Sequence, residues 1–225
     1  MNMKSVICIY PQDKSTDFLL PVYEQLEQMP NFVGFRFNTI TSPQTKELYS
    51  STNFDKESLL VFLGHGASNR LYGSVDEKGT KQELFNKDNT DHIRNLDFFC
   101  IACRSNEFAH NHFQNYIGFG DITSDFSEIE AERNLGDSHY MNWATEEDLS
   151  VFQQEFTGAI VDAIRLTNCK SLSSIYKMLK LCFNKRIATL LVNKNISNYR
   201  HIADMFFDVT NDIECNHIHN TRINE

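Results

Sequence analysis

Apolar residues fall along this chain in two rhythms. In the first half they form short, nearly unbroken runs at residues 5–10, 59–64, 97–102 and 116–120, each stopped by Gly, Pro or a polar side chain. Runs of that length and character read as strands buried on both faces, which is the habit of parallel sheets. Residues 32–37 alternate and read as a further strand. Between these runs the spacing lengthens. Ser15 stands where a cap belongs, and Phe18, Leu19, Val22, Leu26 and Met29 fall near helical spacing, which predicts a helix from 15 to about 29. A short helix is predicted at 42–51 and another at 104–113. The stretch 70–95 is mixed, with a small strand at 71–75 and helical turns at 81–85 and 91–96.

The second half is helical. Phe152, Phe156, Ala159, Ile160 and Ala163 mark the inward face of one helix, and Ser171 caps another whose Ile175, Met178, Leu179 and Cys182 face inward. A last helix is predicted at 202–209. Residues 121–145 are polar, acidic and irregular and read as a surface loop inserted beside the sheet. Strands alternating with helices predict an α/β fold, a mostly parallel central sheet flanked by helices. No linker divides the chain, so one domain is expected over 1–210, followed by a tail at 211–225.

Composition narrows the class. The chain has 225 residues, enough to bury a substantial core, and 18 Phe to fill it. It carries 21 basic and 30 acidic residues, a formal charge of −9, which argues against general binding of nucleic acid. No apolar run approaches the roughly 18 residues of a membrane span, and the first ten residues read as a strand, not a leader. Six Cys are scattered, several within apolar patterns, as free thiols are in a reducing cytoplasm.

Two strand ends carry the candidate chemistry. The run ending Leu63-Gly64 leads straight into His65-Gly66, and the run ending Ile101-Ala102 leads into Cys103. If the two strands are parallel neighbours, imidazole and thiol meet at one sheet edge, the edge where open parallel sheets place their ligands. A thiol beside an imidazole is a nucleophile beside its base. Gly66 permits a sharp turn, and the N–H groups of Gly66 and Cys103 are candidates for an oxyanion hole. A helix beginning at Arg104 would place its dipole on the Cys103 thiolate.

The pattern of an apolar strand followed by His-Gly, then an apolar strand ending Ala-Cys, resembles the caspase-like cysteine peptidases, and among them the bacterial proteins of the CHAT type. Residues 116–119 resemble the family's next strand, and Phe152-Gln153-Gln154-Glu155-Phe156 its Phe-rich helix, so the likeness covers roughly residues 5–192. The resemblance implies a caspase-like three-layer sandwich and a His65–Cys103 dyad that cleaves a protein or peptide substrate through a thioester, without metal or organic cofactor. It implies a regulated enzyme of bacterial signalling or defence, with a separate activating protein. Acidic groups in the pocket before the scissile bond select Arg or Lys in this family. Asp121 and Asp125 are the candidates, and a basic P1 residue is favoured. The insertion at 121–145 departs from the family pattern and would shape the cleft, block it or bind a partner.

Other readings compete. A caspase-like module with an idle dyad would act as a protein-binding scaffold. Cys100 and Cys103 form a C-x-x-C, but Cys100 falls inside a strand, where a redox motif does not belong. Cys215, His217 and His219 have zinc-ligand chemistry but alternate in a predicted tail. His110 and His112 are placed on an exposed helical face.

Overall fold

A computed structural model describes residues 5–37, 57–75, 81–137, 139–194 and 196–217. Six strands form one sheet, in the order β2–β1–β3–β7–β8–β9. They are β1 (Val6–Pro11), β2 (Phe32–Phe37), β3 (Leu59–Leu63), β7 (Asp97–Ile101), β8 (Asn115–Gly118) and β9 (Glu214–Asn216). All neighbours are parallel except β8 and β9. The central strands β1 and β3 are buried along their whole length, as the unbroken apolar runs require, while edge strand β2 is half exposed.

Side chains alternate between two cores. Cys8, Tyr10, Val61, Leu63, Phe99 and Ile101 face helices α1 (Leu20–Glu27), α4 (Glu146–Thr167), α5 (Leu172–Val192) and α6 (Tyr199–Asp212). On that face Phe156 stacks with Phe183 at 5.5 Å and meets Phe119 edge-on at 5.8 Å. Ile7, Ile9, Leu60, Phe62, Phe98 and Cys100 face the other way, against α2 (Ser105–His112) and a small antiparallel sheet, β4 (His65–Ala67), β5 (Arg70–Val75) and β6 (Lys81–Asn86). The sheet is therefore covered on both faces. No described helix is long and apolar enough to cross a membrane.

Local chemistry sets the helix starts. Thr145 and Asp148 cap α4 reciprocally, and Ser171 and Ser174 do the same for α5. The first helix differs from the expectation. Residues 14–16 form a turn, residues 17–19 a single 3-10 turn, and α1 begins only at Leu20. Ser15 is no cap, because its hydroxyl is engaged by Asp13 and His65. Lys81–Asn86 is a strand, not helical turns, since pairing with β5 overrides local propensity.

The stretch 121–145 is not all loop. Asp125 caps a helix, α3 (Phe126–Asn134), that buries Ile129. The tail expected from 211 onward instead finishes α6 and adds β9 to the sheet, with Tyr116 donating to Glu214 Oε2 at 3.5 Å. The short helix predicted at 42–51 lies outside the described residues.

Burial raises the pKa of several phenols and thiols: Tyr116 and Cys169 to about 12, and Cys8, Cys100 and Tyr10 upward as well. A group whose folded pKa is raised contributes stability that is whole below its unfolded pKa and is lost as pH climbs toward the folded value. A thiol in an unfolded chain titrates at about 8.5. The urea midpoint is therefore expected to hold from pH 7 to about 8.5 and to fall steadily above it. A midpoint unchanged up to pH 11 would contradict this burial.

Candidate active site

The strand order changes direction beside β1. From β1 the chain goes to β2 on one side, then returns to β3 on the other. Ligands of open α/β sheets sit at such a switch point, beyond the carboxyl ends of the strands. Three polar groups gather there: Asp13 after β1, His65 after β3 and Cys103 after β7. The pairing of β3 with β7 sets Leu63 opposite Ile101, and the Gly64 N–H donates to the Ile101 carbonyl at 3.1 Å. His65 and Cys103 thus leave the sheet at the same level, and both line one small cleft with Thr16, Phe18, Leu19, Ile122 and Ser124.

His65 is buried, 8% exposed. Its Nε2 lies 2.9 Å from Asp13 Oδ2 and 3.1 Å from Ser15 Oγ. Ser15 donates its own proton to Asp13 Oδ1 at 2.8 Å. The carboxylate accepts only, so the imidazole proton belongs on Nε2, which leaves Nδ1 as the free base. Asp13 is itself fixed, because Oδ1 also accepts from the Ser15 and Thr16 amides while the Asp13 amide donates to Thr16 Oγ1. The sequence reading missed Asp13 and Ser15. The available signal was a carboxylate two residues past the end of the first parallel strand.

Cys103 is half-buried, and its thiol donates to the Ile122 carbonyl at 3.1 Å. Burial holds the thiols of Cys8, Cys100 and Cys182 above the ordinary value and pushes Cys215 up to about 11, with Asp97 adding to the effect. Those thiols are poor nucleophiles at neutral pH. Cys103 is the cysteine that opens on the cleft.

The turn carrying Cys103 is built tightly. Arg104 takes a left-handed conformation, φ 53°, and starts α2. Such a position costs about 1–3 kcal/mol and persists only when its surroundings enforce it. Here the Arg104 amide donates to the Gly120 carbonyl at 2.9 Å, and the buried Ser105 hydroxyl accepts from the Phe119 amide at 2.9 Å while donating to the Cys100 carbonyl at 3.0 Å. Opposite, a Cβ on Gly66 would stand 2.6 Å from the Cys103 carbonyl oxygen, so the backbone after His65 runs directly against the Cys103 turn.

Asp121 and Asp125 part company. Asp125 accepts from the Ser127 amide at 2.9 Å as the α3 cap and lines neither the cleft nor its neighbour. Asp121 opens on a second pocket of about 310 Å³, whose walls include Tyr140, Trp143, His201, Asp204, Asp208 and Asp212. Trp143 stacks on His201 at 4.7 Å. The three α6 carboxylates repeat every fourth residue toward the helix C-terminus, where like charges and the helix dipole both oppose them. Two cations stand nearby: Arg104, its pKa raised first by Glu107 and also by Asp121, and Lys180, which bonds the Thr210 carbonyl and whose pKa is lowered by burial while Asp212 acts against that. A larger cavity, about 640 Å³, lies at the opposite edge of the sheet beside Val6, Asn31 and Cys169. Its one thiol, Cys169, is buried and its pKa pushed up to about 12, and no imidazole lines it, so the chemistry selects the carboxyl edge.

Among the described residues, no three His, Cys, Asp or Glu side chains converge as a metal-holding group. Of the zinc candidates set aside above, Cys215 lies in β9, not in a tail, and His219 lies outside the described residues. Compared with known proteins, the chain matches no family model and no curated protein.

Ser105→Ala should leave the Phe119 amide without its acceptor and the Cys100 carbonyl without its donor, both buried. A loss of about 1–3 kcal/mol is expected, read from urea unfolding. A loss within error would mean that Ser105 does not hold the turn.

Proposed function

We propose that this chain is a caspase-like cysteine endopeptidase, with Cys103 as nucleophile and His65 as general base. The observation that carries the reading is the meeting of His65 and Cys103 on one cleft, at the ends of adjacent parallel strands, with Asp13 hydrogen-bonded to Nε2 of the imidazole. The strand order adds support, since a mostly parallel sheet closed by one antiparallel strand suits the architecture that the His-Gly and Ala-Cys motifs imply.

In this mechanism His65 Nδ1 takes the thiol proton, and the sulfur attacks the carbonyl carbon of the peptide bond. Charge collects on the carbonyl oxygen, where the Gly66 and Cys103 amides are the proposed donors. The C–N bond breaks as the imidazolium returns its proton to the leaving amine, and the acyl group stays on sulfur as a thioester. Water, deprotonated by His65, then releases the acid and restores the thiol. Asp13 fixes the tautomer throughout and stabilises the imidazolium without taking its proton.

The acidic pocket beside Asp121 supports the preference for a basic P1 residue. Carboxylates set against Trp143 and Tyr140 suit a guanidinium or ammonium group, which pairs with the charges and lies over the rings. The resemblance to bacterial CHAT-type proteins makes a regulated role in signalling or defence, with a separate activating protein, part of the proposal. A second reading, an idle module that binds a partner, draws on the narrowness of the cleft, about 20 Å³.

Prolonged exposure to peptidyl acyloxymethyl ketones should modify Cys103, with Arg or Lys before the warhead preferred over Asp or Leu. His65→Ala should slow modification about 10²–10⁴-fold, and Asp13→Ala up to about 10²-fold through lost orientation of the ring. Intact-mass spectrometry reads both, and wild-type rates in His65→Ala would sink the dyad. Asp208→Asn should narrow the gap between Arg and Leu warheads. An unchanged gap would remove the acidic pocket from specificity.

A further inference from the structure

The segment between β8 and α3 lies across the candidate dyad. Exposure alternates along it: Asp121 and Thr123 face the acidic pocket, while Ile122 and Ser124 are buried and form the wall of the dyad cleft. About 20 Å³ remains between them, room for one water. A peptide carbonyl and its flanking residues do not fit.

We propose that residues 120–125 are an autoinhibitory strap that shuts the cleft and binds the Cys103 thiol, and that the site works only when the strap and α3 swing out together. This rests on the dyad reading above. Two effects act in the same direction. Ile122 and Ser124 exclude substrate by volume. The thiol is also engaged as a donor, which a thiolate cannot be. Loss of the proton would leave sulfur and the Ile122 carbonyl oxygen, both electron-rich, 3.1 Å apart. Forming the nucleophile therefore favours opening, and opening frees the nucleophile, one linkage seen from two sides. The hydrogen bond aims the carbonyl oxygen at sulfur, whereas attack requires the carbon, so the strap occupies the site as a plug and not as a substrate.

The attachments suit a moving part. The Gln153 side-chain amide on α4 donates to the Ser124 carbonyl at 2.7 Å, and the Ser124 amide reaches Glu128 at 3.4 Å. Helix α3 fully buries a single residue, Ile129; Phe126 packs partly on the core and Arg133 donates to the Tyr140 and Met141 carbonyls, and these are the contacts that release must break. The unit is bounded by Gly120, pressed against Asp212, and by Gly136 at φ 125° in open space. Gly136 can absorb backbone rotation, while Gly120, whose carbonyl accepts from the Arg104 amide, is the fixed end of the unit.

Alkylation of Cys103 by iodoacetamide at pH 7.5, followed by peptide mass spectrometry, tests the strap without needing peptidase activity. The wild-type protein should react far more slowly at Cys103 than the same protein unfolded in urea. Gln153→Ala removes one anchor and should speed the reaction about tenfold, while Cys8 and Cys100 stay protected and the melting temperature barely moves. Asp125→Ala, which removes the α3 cap, should act in the same direction. Native Cys103 reacting as fast as the unfolded chain, or both variants leaving its rate unchanged with the fold intact, would overturn the strap. Faster alkylation in the variants without cleavage of any peptide would uphold the strap and refute the peptidase. Cleavage by a wild-type protein whose Cys103 is freely alkylated would do the reverse.

Discussion

The register of β3 against β7 governs this molecule. With Leu63 opposite Ile101, the two strands end level, and the residues that follow meet over the same edge of the sheet. A slip of one residue would exchange the two faces of β7, turning Phe99 and Ile101 away from the helices and Phe98 and Cys100 toward them. The separate cores enforce the register, because each is filled by large side chains that fit one face only. The position of His65 relative to Cys103 is thus a by-product of packing far more extensive than the site itself. The neighbouring β1 adds Asp13 by the same logic, since a strand paired with β3 must end beside it.

The turn at Cys103 shows how strain is held. Left-handed Arg104 runs against the preference of its own backbone, and a helix must start immediately afterward. The Ser105 hydroxyl, giving one bond and accepting another inside the core, ties that turn to β8. Gly118 completes the fit, since a Cβ there would stand 2.5 Å from the Asn106 nitrogen. The rigid side of the cleft is therefore β7, β8 and the start of α2, and its looser side is the segment that follows Phe119.

The parallel core was legible in the sequence because burial on both faces leaves an unbroken apolar run, and β1, β2, β3, β7 and β8 all appear near their expected places. The long helices were legible from their period and, for α5, from the cap at Ser171, whereas the cap at Thr145 was hidden at the end of a stretch that reads as loop. What escaped depended on distant partners. Lys81–Asn86 reads as helical turns until β5 pairs with it, and Glu214–Asn216 reads as a tail until β8 offers an edge. At the site, His65 and Cys103 stood out as reactive groups at the ends of apolar runs. Asp13 did not, because a carboxylate in a turn after a strand has many ordinary uses and its value here comes from a side chain 52 positions away. Asp125 had one such ordinary use, while Asp121 gained neighbours from α6 that no local pattern announces.

The order in which the parts are made has a bearing of its own. Asp204, Asp208 and Asp212 leave the ribosome roughly a hundred residues after Cys103, and Gln153 about fifty after it. At ordinary translation speeds of about 5–20 residues per second, a nascent chain carries both His65 and Cys103 for roughly one to four seconds before Ile122 and Ser124 complete the cleft wall, and for longer before α4 and α6 exist. During that interval the sheet lacks α4, α5 and the core residues they supply, so β7 has nothing to pack against on one face. Enforcement of the register from both faces of the sheet therefore waits for helices that are made after the candidate pair and after the segment that closes over it.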